Sequence, residues 1–299
     1  MAINTLAYAT LFQKNLDKLA VQEMLTGWMD ANAGQVIYNG GSEVKIPKMN
    51  IVGLGNYDRD NGYTMGGVTL DYETKKMTQD RGRSFQLDEM DVNETNFVAT
   101  ASTAMGEFQR TQVVPEIDAY RLSKIASTAV EASRNGSAKS TVLASFKEGI
   151  KAIREAGYNG QLIIHATYDI VSEFELEMAG KLTSDTFSNG GVDTRVPSVD
   201  GVPIIATPSN RMVTAITLND GKTSGQEAGG FKKAVSASDV DFLVMAATVP
   251  IAVTKQDKMR IFDPNTNQKA NAWGMDYRRY HDLWVLDNKT NGLYVQLKA

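Results

Sequence analysis

The chain has 299 residues, 42% hydrophobic and 22% charged, with 31 basic side chains against 35 acidic ones and no cysteine. That is material for one large domain or two ordinary ones around a buried core, and the lack of thiols excludes disulfides, thiolate catalysis and zinc–thiolate sites. A net charge of −4 argues against a dedicated nucleic-acid binder, which carries a basic excess on its contact face, but not against a protein that encloses DNA without gripping it.

No apolar run approaches the ~20 residues a membrane helix needs. The N-terminal stretch lacks the basic and long apolar regions of a secretory signal. Residues 1–33 read as mostly helical: Phe12, Leu16, Ala20, Met24 and Trp28 recur every four residues, and the stretch ends at Gly34. From Gln35 to Met90 the period changes to two, with Val44, Ile46, Val68, Leu70 and Tyr72 alternating with polar residues between dense turn signals such as "NGG" at 39–41 and "DNG" at 60–62. This reads as a long hairpin-like ribbon. An isolated ribbon is marginal in water, so its partner surface is expected on another chain.

At "RGRSFQLDEMDVNET" (81–95) carboxylates crowd together. Asp88, Glu89, Asp91 and Glu94 fall at or before the first turn of a helix that Asp91 or Asn93 can cap, where the helix dipole favours negative charge. The helix-compatible run extends to about Ser127, with a kink or two abutting helices expected at Pro115. Residues 138–254 read as an α/β segment: a helix from about 140 to 156, a buried strand at 161–167, a helix at 168–182, a strand within 199–208, and strand–turn–strand at 239–253. Between them the Gly-rich 219–233 reads as a flexible surface loop. The alternating runs 277–287 and 293–297, joined by "NKTNG", predict a closing β-hairpin.

Tests for chemistry are mostly negative. His165 and His281 are the two histidines, one in an apolar strand and one in an aromatic-rich one, so both are expected to pack rather than react. No G-x-S-x-G or H-E-x-x-H is present. "SRNGSAKST" (133–141) lacks the glycines of a phosphate loop, and "GLGNYD" (53–58) has Asp58 where a dinucleotide fingerprint needs its third glycine. "DRDNG" (58–62) and "DPNTNQ" (263–268) lack the ligand spacing of a calcium loop. No cofactor and no catalytic residue is expected.

The stretches 45–95 and 276–295 resemble those of tailed-bacteriophage major capsid proteins of the Hong Kong 97 fold. The resemblance implies an α+β fold with an N-terminal arm (1–35), an extended E-loop ribbon and its strands (36–90), a peripheral domain with a long spine helix (91–137), an α/β axial domain (138–254) and return strands of the peripheral domain (255–299). It implies a structural protein that self-assembles into hexamers and pentamers enclosing double-stranded DNA, assembled in the host cytoplasm. Expected partners are a separate scaffolding protein, a portal protein and a decoration protein. Arg59, Lys75, Lys76, Arg81, Arg83, Asp88 and Glu89 are candidate inter-subunit contacts, and no covalent crosslink is expected. An encapsulin-type nanocompartment shell shares the fold and stands as the nearest alternative. A hydrolase using Asp88, Glu89 or Asp91, and a tail-tube protein, stand further off.

Overall fold

The computed structural model describes residues 24–36, 43–60, 62–88, 105–136, 140–178, 184–189, 192–262 and 272–298. The expected helices over 1–23 and 89–104, and the 263–268 turn, lie outside them. Where the N-terminal helix was expected to run on to Gly34, the chain instead forms a 3-10 segment, Gly27–Gln35. Tertiary hydrogen bonds explain the tighter path: the Asn32 amide donates to the Ala247 and Pro250 carbonyls at 2.6 and 2.8 Å.

The ribbon forms as its alternation predicts. β1 (Glu43–Ile51) and β2 (Val68–Lys76) pair antiparallel from Glu43↔Lys76 to Ile51↔Val68. At its base Val44 and Ile46 pack on Trp284, Ile251 and Met77, whereas farther out Met49, Ile51, Leu70 and Tyr72 are exposed. After Met77 the chain enters β3 (Gln79–Asp88).

Residues 105–108 are helical, and the helix widens to a π-turn at Gln109–Val113 and continues as α1 (Val114–Glu131). Pro115 causes the widening: it has no N–H to donate, and its ring would strike the carbonyl four residues back in a regular turn. The helix absorbs the proline without being divided.

A short β4 (Asn135–Gly136) leads to α2 (Val142–Glu155), capped by the Thr141 hydroxyl, which accepts from Ala144 N–H at 3.2 Å. Then come β5 (Leu162–Thr167), α3 (Tyr168–Glu177), β6 (Ser184–Asn189), β7 (Val192–Val199) and β8 (Val202–Thr207). A small hairpin of β9 (Ile216–Leu218) and β10 (Phe231–Lys233) precedes β11 (Val240–Ala246), β12 (Ile251–Phe262), β13 (Ala272–Trp284) and β14 (Leu293–Leu297).

Among the described residues these strands make a seven-stranded sheet, ordered β4-β14-β11-β5-β8-β7-β6, and a three-stranded sheet, β12-β13-β3. The main core lies under α1 and α2, where Phe146 meets Phe242 edge-to-face at 4.8 Å. The closing hairpin expected of the tail does not form. β13 pairs with β12 and β3, while a 3-10 turn at Asp287–Gly292 carries the chain to the other sheet, where β14 pairs with β11. Alternation reports that a strand is half-buried and is silent about its partner. Here the buried Leu293, Tyr294 and Val295 are claimed by the main core.

Candidate assembly interface

The long helix is the beam to which the other parts are fastened. On one side Asp118, fully buried, accepts from the Thr26 hydroxyl at 2.6 Å, from the Thr26 and Leu25 N–H groups at 3.2 Å, and from Arg211 at 3.0 Å. One turn on, the buried Arg121 donates to the Thr26 carbonyl at 2.9 Å and to Asp30 at 2.8 Å. Burial pushes the Asp118 carboxyl up, against the pull of Thr26 and Arg211. The 24–30 segment is thereby clamped to α1.

On another side Asp282 of β13, also buried, accepts from Thr78 N–H (2.9 Å), the Thr78 hydroxyl (3.0 Å), Tyr120 OH (2.7 Å) and the Lys124 ammonium (2.5 Å). Burial works against the charge of Lys124, but Tyr120 and Asp282 beside it hold its pKa above the ordinary lysine value. Thr78 stands between β2 and β3, so this one carboxylate ties the foot of the ribbon, the three-stranded sheet and the helix together.

Arg81 makes a third fastening. Its guanidinium forks onto the Glu116 carboxylate, with one N–H···O at 3.0 Å, and also reaches the Asn219 carbonyl at 3.0 Å. Arg83, two residues on and on the same strand face, donates to the Glu227 carbonyl at 3.0 Å. The 219–233 loop, expected as a free surface loop, is therefore fixed to the ribbon's root. Asp220 orders it from within: the Thr223 hydroxyl, then the Lys222 and Thr223 N–H groups, lower its pKa to about 2. Gly221 has φ +73°, and a Cβ there would come within 2.9 Å of Arg83, so glycine lets the loop backbone approach the guanidinium.

No family model and no curated protein matches the chain. Solved structures do. A subunit of the bacteriophage PhiM1 mature capsid superposes with a TM-score of 0.57 at 12% identity over 88% of this chain and 83% of that one. The cyanophage P-SCSP1u capsid gives 0.55 at 9% identity over 88% and 85%. The chain has the tailed-phage major capsid protein fold. A virus-like particle from Pyrococcus furiosus is also similar, with a TM-score of 0.50 at 11% identity over 97% of this chain and 99% of that one.

Within this capsid fold the residues singled out in the sequence scatter along the ribbon and its root. Arg59 is exposed at the tip. Lys75 pairs with Glu73 and, at 3.6 Å, with Asp287, and Lys76 pairs with Glu43 at 2.6 Å. Arg81 and Arg83 come together at the root, as above. Asp88 closes β3 opposite Ala272, and Glu89 lies outside the described residues. His165 and His281 are buried, as expected. The indole N–H of Trp28 donates to His165 Nε2 at 3.4 Å, Thr207 sits 3.1 Å from Nδ1, and burial lowers the His165 pKa to about 3. Asp118 and Asp282 were not singled out. Their available signal was a charged residue inside an apolar run, "EIDAYRL" and "YHDLWVL", where a carboxylate must be paired to be tolerated.

Proposed function

We propose that this chain is the subunit of a closed protein shell, a phage capsid enclosing double-stranded DNA, and that it acts through self-association. The observation that carries the reading is the ribbon on a capsid fold. Leu54, Met65 and Tyr63 stand 108%, 98% and 87% exposed, flanked by exposed Met49, Ile51, Val68 and Leu70. So large an apolar surface, left uncovered by its own chain, marks a protein–protein contact. On this reading β1 and β2 are the E-loop, the long helix is the spine, residues 138–254 form the axial domain, and the ring unit is a hexamer or pentamer. The buried carboxylates serve as fastenings, and no catalytic step is assigned to them.

A separate scaffolding protein would set curvature during assembly in the host cytoplasm, with portal and decoration proteins as further partners. The near-complete mutual coverage with the Pyrococcus furiosus particle favours a second reading, an encapsulin-type compartment with protein cargo. Electron microscopy of the expressed chain, with and without a co-expressed scaffold candidate, tests the first. Closed shells, or rings that close when scaffold is added, are expected; a stable monomer under both conditions overturns it. Nuclease-protected DNA in particles from phage-producing cells separates the capsid from the compartment.

A further inference from the structure

The three-stranded sheet turns one face toward the long helix, and at one end the two do not close on each other. A cleft of about 350 Å³ opens there between β3, the start of the helix, the 219–230 loop and β13. Strand register sets its lining. On β13 Tyr277, Arg279 and His281 share a face, and on β3 Arg83 and Arg81 stand opposite the first two. Phe85, Phe108 and Tyr277 form an apolar wall, with Phe108 edge-to-face to the other two at 4.9 and 6.0 Å.

The polar side of the cleft holds nitrogens that the chain itself does not satisfy. Arg279 and His281 are only 8% and 5% exposed, yet Arg279 Nε and His281 Nδ1 have no hydrogen-bond partner. The carboxylates lining the cleft are already taken up: Asp80 by Arg278 at 2.8 Å, Glu116 by Arg81 at 3.0 Å, and Asp220 by N–H groups of its own loop. Arg83 donates to the Glu227 carbonyl and has no carboxylate partner among the described residues. Burial, and then the charges of Arg279, Arg121, Lys124 and Arg81, push the His281 pKa down, which marks the surroundings as positive. Unpaired buried nitrogens in such surroundings favour an anionic acceptor. Size narrows the occupant further. Pockets that bury small molecules run from about 300 to 1,000 Å³, and this one lies at the small end, so it suits a compact molecule with one ring.

We propose that the cleft binds a small aromatic carboxylic acid, its ring against Phe85, Phe108 and Tyr277 and its carboxylate against Arg83 and Arg279. These two arginines are diagonal neighbours across the β3–β13 pair, about 7–8 Å apart at the backbone, a gap that long side chains close. His281, next along the same face, donates to a carboxylate oxygen when its proton sits on Nδ1. The inference goes beyond the shell reading and does not depend on it. An occupant here touches β3, the long helix and the 219–230 loop together, so its binding stiffens the joint where the three meet.

Calorimetric titration of the purified full-length chain with 3-phenylpropionate tests it, with 3-phenylpropionamide as the uncharged counterpart. Saturable one-to-one binding of the acid is expected, with a Kd of about 1 mM or tighter, ordinary for so compact a ligand. The amide is expected to bind about ten-fold more weakly, because charge-assisted hydrogen bonds are the stronger ones. No saturable binding of the acid, or equal binding of the two, overturns the proposal.

Two variants locate the site. Arg83 is exposed, so Arg83→Gln is expected to keep the wild-type thermal midpoint and to erase most of the preference for the acid. Phe85→Leu is expected to weaken acid and amide alike, by about three-fold or more, and to leave their ratio unchanged. Either variant suffices: one that folds and binds both ligands as wild type does puts the binding outside the cleft and overturns the assignment.

Discussion

Asp282 and His165 show how single buried side chains control this molecule. Asp282 accepts five hydrogen bonds, one from a lysine ammonium, at the point where ribbon, sheet and helix meet. Asp282→Ala leaves Lys124 without its carboxylate and Thr78 without its acceptor, and breaking such a buried pair costs about 3–5 kcal/mol. Urea unfolding of the unassembled subunit should show that loss, with Asp282→Asn intermediate because its amide oxygen keeps part of the acceptor set. His165 acts through pH. It titrates near 3 when folded and about 6.5 when unfolded, so the unfolded chain takes up the proton first. Its contribution is whole above the unfolded value and is lost as pH falls toward 3, by up to about 1.4 kcal/mol per pH unit. Burial lowers the His281 pKa as well, and that contribution is lost in the same direction. The urea midpoint should therefore fall steeply from pH 6 to pH 4.5, and His165→Asn should flatten the slope. An unchanged slope would mean that the ring is not the titrating group.

Elements that carry their own periodicity were legible, and contacts between elements were not. The α2 stripe of Val142, Phe146, Ile150 and Ile153 appears close to its expected bounds, whereas the ribbon's ladder is shorter than expected, Glu43–Ile51 on Val68–Lys76, because Gln79–Asp88 joins another sheet. At Pro115 the expected interruption takes the form of one widened turn, with the helix continuing on both sides, because a π-turn accommodates the missing donor. The tail was misread as a hairpin because Leu293–Leu297 and β13 each alternate, and only the main core decides which sheet each one joins. At the root, "RGR" at 81–83 was recognisable as charged, but its partners Glu116, Asn219 and Glu227 lie 35 to 144 residues away. Gly149 is a test of packing at this scale. Alanine there would gain about 1 kcal/mol of helix propensity. Its Cβ, however, would sit 2.9 Å from both Tyr294 and Val244, which are buried and have nowhere to move. Overpacking of this kind costs about 1–3 kcal/mol, so Gly149→Ala should be net destabilising, with the thermal midpoint lowered rather than raised.

For the molecule as a whole, the ribbon separates folding from assembly. The residues that stabilise the subunit lie in the two sheets and under the helix, whereas residues 52–60 and 63–67 bury almost nothing against their own chain. Replacing residues 52–67 by an Asn-Gly turn joins Ile51 to Val68 across the last ladder pair and supplies the turn chemistry a two-residue hairpin requires. Exposed surface changes of this type leave stability within about 0.5 kcal/mol, so the thermal midpoint of the subunit should be unchanged to within a few degrees. The shortened chain should also be more soluble than the parent, since it loses the exposed Leu54, Tyr57, Tyr63 and Met65. Yet it should form neither rings nor shells, because what was removed is the exposed apolar surface that on this reading meets a neighbour. A shortened chain that still closes into shells would transfer the assembly role from the ribbon to the faces of the two sheets. One that unfolds would show instead that the tip supports its own subunit.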